Sequence, residues 1–178
     1  MCRRIIWWNV FTRKRKHLGK KDKFFDEKGY KKFEADLKKI YHDHKNKIIL
    51  PIDLAASNGG NTRKEIKVSD LPTDLDILDI GTQTTELFKK KIRESKIVVF
   101  NGPLGVYEKQ SFSIGTKKIL ETIAFGRTFS ILGGGDTERA VFTLGLMPQD
   151  FSHLSLAGKA LLEYLAGEKL PGLEVLKS

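Results

Sequence analysis

The sequence predicts an α/β fold, a mostly parallel sheet layered with helices, on three observations. Short apolar runs alternate with helix-period stretches at least four times between residue 75 and the C-terminus, the pattern of βα units wound into one sheet. Residues 97–100 (Ile, Val, Val, Phe) form an unbroken apolar run, which suits a strand covered on both faces. Several of these runs end in a turn rich in Gly or Asn, at the strand end where open α/β sheets bind ligands.

Taken in order, the chain begins with a basic, aperiodic stretch, 1–20, that carries Trp7, Trp8 and Phe11. In residues 26–46, Tyr30, Phe33, Leu37, Ile40 and Tyr41 recur every three or four positions, which predicts an amphipathic helix with a lysine-rich outer face. Residues 48–52 read as a buried strand closing at Pro51 and Asp53. Residues 57–64 are rich in Asn and Gly and read as a loop, and 72–75 as a turn. Residues 75–80 read as a strand broken by Gly81, followed by a helix to about residue 95 with Leu87, Phe88 and Ile92 inward. After the strand at 97–100 comes the loop NGPLG, then a helix carrying Phe112, Ile119, Leu120 and Ile123. A strand at 128–132 leads into GGGDT, Gly133 to Thr137, where a new helical pattern begins. Residues 151–155 read as a short strand, 157–165 as a helix stopped by Gly167, and 173–176 as a last strand.

Composition bounds the class. The 178 residues suffice for one domain, and 40% hydrophobic with 30% charged residues is a globular balance. No apolar run approaches the roughly 18 residues that span a bilayer, and the first 21 residues lack the apolar core of a signal peptide, so a cytoplasmic protein is expected. One cysteine, Cys2, allows no internal disulfide and no Cys-based zinc site, and His42 and His44 read as solvated. The net charge is +10, with half of the 32 Lys and Arg residues in the first 50 positions. Such asymmetry permits nucleic-acid binding, with Trp7, Trp8 and Phe11 as stacking rings, although lysines on an amphipathic helix ordinarily form a solvated face.

The chemistry concentrates at strand ends. Glycines at 133, 134 and 135 let the backbone approach a ligand, and the N–H groups and dipole of the following helix favour an anion there. Asp136 would repel a bare phosphate, so it argues for a cation between them, such as Mg²⁺ held by one carboxylate and phosphate oxygens. Thr137 is either an N-cap or a phosphate donor, and a plain Gly-rich turn before a capped helix is the simpler reading of the same residues. Asn101 and Pro103 form a rigid turn beside which the Glu108 carboxylate could accept hydrogen bonds from a ribose, or else these residues are a plain βα turn and a solvated acid. Because the loops at Gly81, NGPLG, GGGD and 155–158 all follow strands, they are expected to line one sheet edge. There is no GxxxxGK[ST] loop and no GxGxxG after a strand.

Together VVFNGPLGVYE, ILGGGDT, FSHLS and LLEYLAGEKLPGLEVL resemble the C-terminal, nucleotide-binding domain of phosphoglycerate kinase, with ILPIDL and LDILDIG in that family's order. The resemblance runs from about residue 19 to 178. It implies a Rossmann-like three-layer domain truncated on its N-terminal side, with 1–178 as a single incomplete nucleotide-binding domain (1–20 an irregular start, 21–178 family-like). It also implies phosphoryl transfer between 1,3-bisphosphoglycerate and Mg·ADP in glycolysis, ADP or ATP and Mg²⁺ as cofactors, and a monomer. On it, 3-phosphoglycerate is a partner only when an N-terminal domain is supplied. Residue by residue it assigns Glu108 to the ribose, the turn at Asn101 and Pro103 to the adenosine side, Gly133, Gly134 and Gly135 to phosphate amides, Asp136 to the metal and Thr137 to a phosphate oxygen. It assigns Gly134 and Gly158 to the transferring phosphoryl.

The departures bear on turnover. The family's second glycine turn, STGGGA, stands here as Ser155, Leu156, Ala157, Gly158, Lys159 and Ala160, with one glycine of three kept. Ile5, Ile6 and Trp7 stand where glycines contact adenine. Residues 170–176 resemble a terminal segment that packs toward the N-terminal domain, so exposed apolar side chains are expected there. A chain inactive alone, and a decayed nucleotide-binding protein without catalysis, are both consistent with these changes; a nucleic-acid module is a more distant reading.

Overall fold

The computed structural model describes residues 30–176. The expectations for the basic start, including Ile5, Ile6, Trp7, Trp8 and Phe11, lie outside the described residues, as does the beginning of the helix expected at 26–46. From residue 30 that helix is a 3-10 turn, Tyr30–Phe33, followed by α1, Glu34–His44. His42 and His44 on it are both exposed.

Two three-stranded sheets follow. The first contains β1 (Asp53–Ser57), β2 (Lys64–Lys67) and β3 (Asp76–Ile80) in the order β2-β1-β3, antiparallel throughout. The second contains β4 (Ile97–Asn101), β5 (Phe129–Gly133) and β6 (His153–Ser155) in that order, all parallel. Helix α2 (Thr82–Arg93) links β3 to β4, α3 (Ile114–Ala124) links β4 to β5, and α4 (Gly135–Thr143) links β5 to β6. Two short helices close the chain, α5 (Lys159–Leu165) and α6 (Pro171–Val175). The α/β class and the βα repeat from residue 75 onward agree with the sequence reading, but the strands fall in two sheets instead of one, because β3 pairs antiparallel with β1 and not with β4.

Four local expectations change. The strand expected at 48–52 instead starts at Asp53, because Pro51 cannot donate to a ladder and pairing begins once it is passed. Residues 64–67, to which no element is assigned by periodicity, form β2. The run at 97–100 is a strand covered on one face: Val98 and Phe100 pack into the core, while Ile97 and Val99 are 63% and 45% exposed. β4 hydrogen-bonds only to β5 among the described residues, and Phe129, the partner of Ile97, is exposed with it. The last strand, expected at 173–176, is a helix. Pro171 occupies its first turn, where a missing N–H costs nothing, and Leu173 N and Glu174 N donate to Leu170 O at 2.9 and 3.1 Å. Leu173, Val175 and Leu176 are exposed, as the sequence reading expects of that segment.

The larger core joins β3 to β5 through Ile80, Phe100 and Leu132 with Ile119, Leu120 and Ile123 of α3 and Val141 of α4. A second core lies under β1 around Leu54, Ala56, Leu71 and Ile77. Between them Arg63 donates to the Asp79 carboxylate at 3.0 Å, to Ser111 O at 2.9 Å and to Ile80 O at 2.9 Å. The other donors to Asp79 are the backbone N–H groups of Gly115 (2.8 Å) and Ile80 (2.9 Å). Burial pushes the Asp79 carboxyl above its ordinary range, and these hydrogen bonds and the Arg63 charge offset that only in part.

Candidate functional site

Parallel pairing decides which strand ends meet. Asn101 pairs with Gly133, and Gly133 with Ser155, so β4, β5 and β6 end in one row. The turns that leave this row are therefore neighbours. The Asn101 amide donates to Gly158 O at 3.1 Å, and Gly134 N donates to Ser155 O at 2.9 Å. A Cβ on Gly158 would stand 3.3 Å from the Gly134 Cα, so the two glycine turns touch. Three of the four loops expected on one edge are brought together. The fourth, at Gly81, ends β3 in the other sheet, and its helix amides are taken by protein carboxylates.

Gly134 has φ +96°, a conformation other residues rarely adopt, and it turns the chain from β5 into α4. At Gly135 nothing lies within 4 Å of where a Cβ would point, so the first helical residue faces open space. That space is a cavity of about 430 Å³ lined by Asn101, Gly102, Gly134, Gly135, Asp136, Thr137 and Gly158, together with Arg139, Lys159 and Leu162. Thr137 N and Glu138 N already donate to Gly134 O at 2.9 and 3.1 Å, so the helix starts directly at the glycine turn, with Gly135 as its first residue and the positive end of the helix dipole pointing into the same space.

The Thr137 hydroxyl is fully buried and engaged on both sides. It donates to Gly133 O at 2.7 Å and accepts from Gly102 N at 2.7 Å, tying the β4 and β5 turns together. Asp136 meets Arg139, whose guanidinium donates to its carboxylate at 2.6 Å, and the pair sits at the cavity mouth. Their contact holds Arg139 above its ordinary range. Lys159 is paired with Glu163 at 3.1 Å. Pro103 is buried behind the lining, and Glu108 is exposed and outside it.

Arg139 and Leu162 belong to this site without being read from the sequence, and Gly102 lies within the Asn101 to Pro103 turn that was. The Asp136–Arg139 spacing of three on a helix was the one signal available for the first of them.

The donor set fits a magnesium nucleotide. Open backbone amides at a glycine turn suit phosphate oxygens, and a single carboxylate beside them suits a cation that takes its other ligands from phosphate and water. Among the described residues there is no cluster of three or more His, Cys, Asp or Glu that would make an all-protein metal cage. Nor is any described helix long and apolar enough to cross a membrane.

The family model for phosphoglycerate kinase matches residues 8–168. Phosphoglycerate kinase 1 of Methanosarcina acetivorans is 40% identical over 156 residues, which is 88% of this chain and 37% of that protein. Phosphoglycerate kinase of Methanopyrus kandleri is 38% identical over 160 residues, 89% of this chain and 39% of that protein. The crystal structure of phosphoglycerate kinase from Pyrococcus horikoshii superposes with a TM-score of 0.84 at 34% identity, covering 96% of this chain and 43% of that one. The chain thus spans well under half of these relatives. With its matched range taking in the row of strand ends and both glycine turns, this chain belongs to the phosphoglycerate kinase family.

Proposed function

We propose that this chain is the magnesium-nucleotide half of a phosphoglycerate kinase-type phosphotransferase, serving the exchange of a phosphoryl group between 1,3-bisphosphoglycerate and ADP. The observation that carries the reading is the row Asn101, Gly133, Ser155, whose turns enclose one cavity over the open N-terminus of α4.

In this reading Gly135 donates its backbone N–H to phosphate at the start of α4, and Asp136 exchanges Arg139 for Mg²⁺. The ion neutralises charge on the phosphates. Thr137 acts through the backbone, holding the turns at Gly102 and Gly133 in place while its hydroxyl stays inside the protein. Gly134 and Gly158, in contact across the two turns, flank the phosphoryl in flight. Phosphoryl transfer needs positioning and charge neutralisation more than a protein base, which suits a site whose lining is mostly glycine and amide. Glu108 and Pro103 serve the nucleoside end, reached from the same β4 turn. The carboxyl-phosphate substrate binds on a second domain, so the chain alone binds nucleotide and does not turn over, as a cytoplasmic monomer.

Calorimetry of Mg·ADP against wild type and Asp136→Asn tests this. The expected result is saturable binding that weakens about tenfold in the variant, the loss of one charge-assisted contact. Equal affinities, or none in either protein, would overturn the assignment.

A further inference from the structure

A cationic cavity lies at the opposite end of β5 from the glycine turn. It has a volume of about 570 Å³ and opens between the C-terminal halves of α2 and α3, floored by the turn that enters β5 at Thr128. Lys89 and Arg93 face it from α2, one helical turn apart, with Lys118 from α3 and Arg127 from the turn. Four cations stand against one lining carboxylate, Glu121, which also reaches Lys117 at 3.9 Å. Lys89 is paired with Glu86 at 2.6 Å. Arg93, Lys118 and Arg127 make no direct ion pair among the described residues, and the carboxylate of Glu86 feels Lys118 and Arg93 only through space. The C-termini of α2 and α3 bring roughly half a negative charge each, so with Glu121 and the Lys89–Glu86 pair counted about one positive charge stays uncompensated.

A second feature is independent of charge. The Thr128 hydroxyl is buried and has no hydrogen-bond partner, the one such side-chain atom among the described residues. An unpaired buried hydroxyl costs roughly 1–3 kcal/mol, and this one lies beneath the surface of the cationic cavity, whose lining includes Thr128. Beside it Phe125 leaves its ring 75% exposed at the rim.

We propose that this cavity is a second, magnesium-independent binding site for a multivalent phosphate anion. Arg93, Lys118 and Arg127 bind its charges, and Thr128 donates a hydrogen bond from the floor. Inorganic polyphosphate and a nucleoside polyphosphate share this chemistry; the latter would also stack its base on Phe125.

The test uses the full chain in EDTA, with tripolyphosphate and ATP as probes in separate titrations. Wild type is expected to bind tripolyphosphate saturably. The charge reversal Arg93→Glu, Lys118→Glu, Arg127→Glu should weaken it at least tenfold, with Mg·ADP binding unchanged. Asp136→Asn should do the reverse, so failure of one site is distinguishable from failure of the other. These three cations are exposed, and the milder Arg127→Gln and Thr128→Val, each expected to weaken tripolyphosphate severalfold, guard against a folding defect in the triple variant. No saturable binding by wild type, or binding by the charge-reversed chain within twofold of wild type, overturns the proposal. Phe125→Ala separates the sources: loss confined to ATP assigns a nucleoside polyphosphate, and no change for either probe assigns the inorganic anion.

Discussion

Two helices of this molecule start the same way and end up with opposite roles. Both α2 and α4 follow a strand and have glycine at the N-cap, Gly81 and Gly134, and neither has a capping hydrogen bond from the cap residue itself. At α2 the protein supplies its own anions. The Asp53 carboxylate accepts from Gln83 N at 2.9 Å, Thr84 N at 2.7 Å and the Thr84 hydroxyl at 2.5 Å, and Glu65 accepts from Thr82 N at 3.1 Å and the Thr82 hydroxyl at 2.7 Å. At α4 the corresponding space is the 430 Å³ cavity. The strand–glycine–helix grammar turns a helix N-terminus, favourable to an anion, toward the space ahead of it in both cases. Whether a ligand can use it depends on what the neighbouring strand contributes: β1 sends Asp53 into the first, while β4 and β6 send an amide side chain and a glycine turn toward the second.

The largest expected effect comes from closing the first site further. A Cβ at Gly81 would stand 2.2–2.6 Å from three atoms of the Asp53 carboxyl. Gly81→Ala must therefore expel the cap or shift β3, at a cost of about 3 kcal/mol, read as a lowered urea midpoint. Gly135→Ala is its counterpart. Its Cβ enters open space, so the midpoint should hold within about 0.5 kcal/mol while Mg·ADP affinity falls severalfold. If both substitutions act on stability alone, the contrast between a filled and an open helix start is wrong.

Next in size is Asp53→Asn. It keeps the shape of the cap, removes a buried charge from three donors, and should cost about 2 kcal/mol without touching nucleotide binding. The matched change at the other helix, Asp136→Asn, removes a partly exposed carboxylate paired with Arg139 and should change stability by less than about 0.5 kcal/mol. Its effect belongs to Mg·ADP affinity. Denaturation and calorimetry on the same two variants separate the roles.

Much of this contrast was legible in the sequence at the second site and little at the first. Gly133 to Asp136 could be read because glycines, an acid and a helix start lie next to one another in the chain. Gly81 looked equally open, since its occupant, Asp53, lies 28 positions earlier and arrives only through the β1–β3 pairing. The same long-range pairing hides β2, whose KEIK pattern carries no run of apolar residues. Thr137 was legible as a cap or ligand by type, but the direction of its hydroxyl is set by Gly102 across the sheet. The exposure of Ile97 and Val99 could not be read either, because an apolar run states what a strand can bury and not what lies beside it.

The smallest effect is a pH dependence confined to the closed site. Burial alone would raise the Glu65 carboxyl, but hydrogen bonds from the Thr82 hydroxyl and amide and from Arg63 outweigh it and hold the group below its ordinary 4.5. A carboxylate depressed in the folded state contributes stability that is present above the ordinary value and is lost as pH falls through the lowered one. Asp79, raised by burial, acts with the opposite sign in the neighbouring range, so the raw acid profile of the wild type mixes the two. Comparison with Glu65→Gln brings out the first. The stability gap between wild type and Glu65→Gln should be constant near neutral pH and shrink as pH drops below about 4.5, because the glutamine cannot titrate, while Arg63, which contacts both carboxylates, couples only a smaller part of the Asp79 titration into the difference. A gap that stays flat through that range would mean that Thr82 and the start of α2 do not depend on the Glu65 charge, leaving Asp53 as the sole anion that closes this helix.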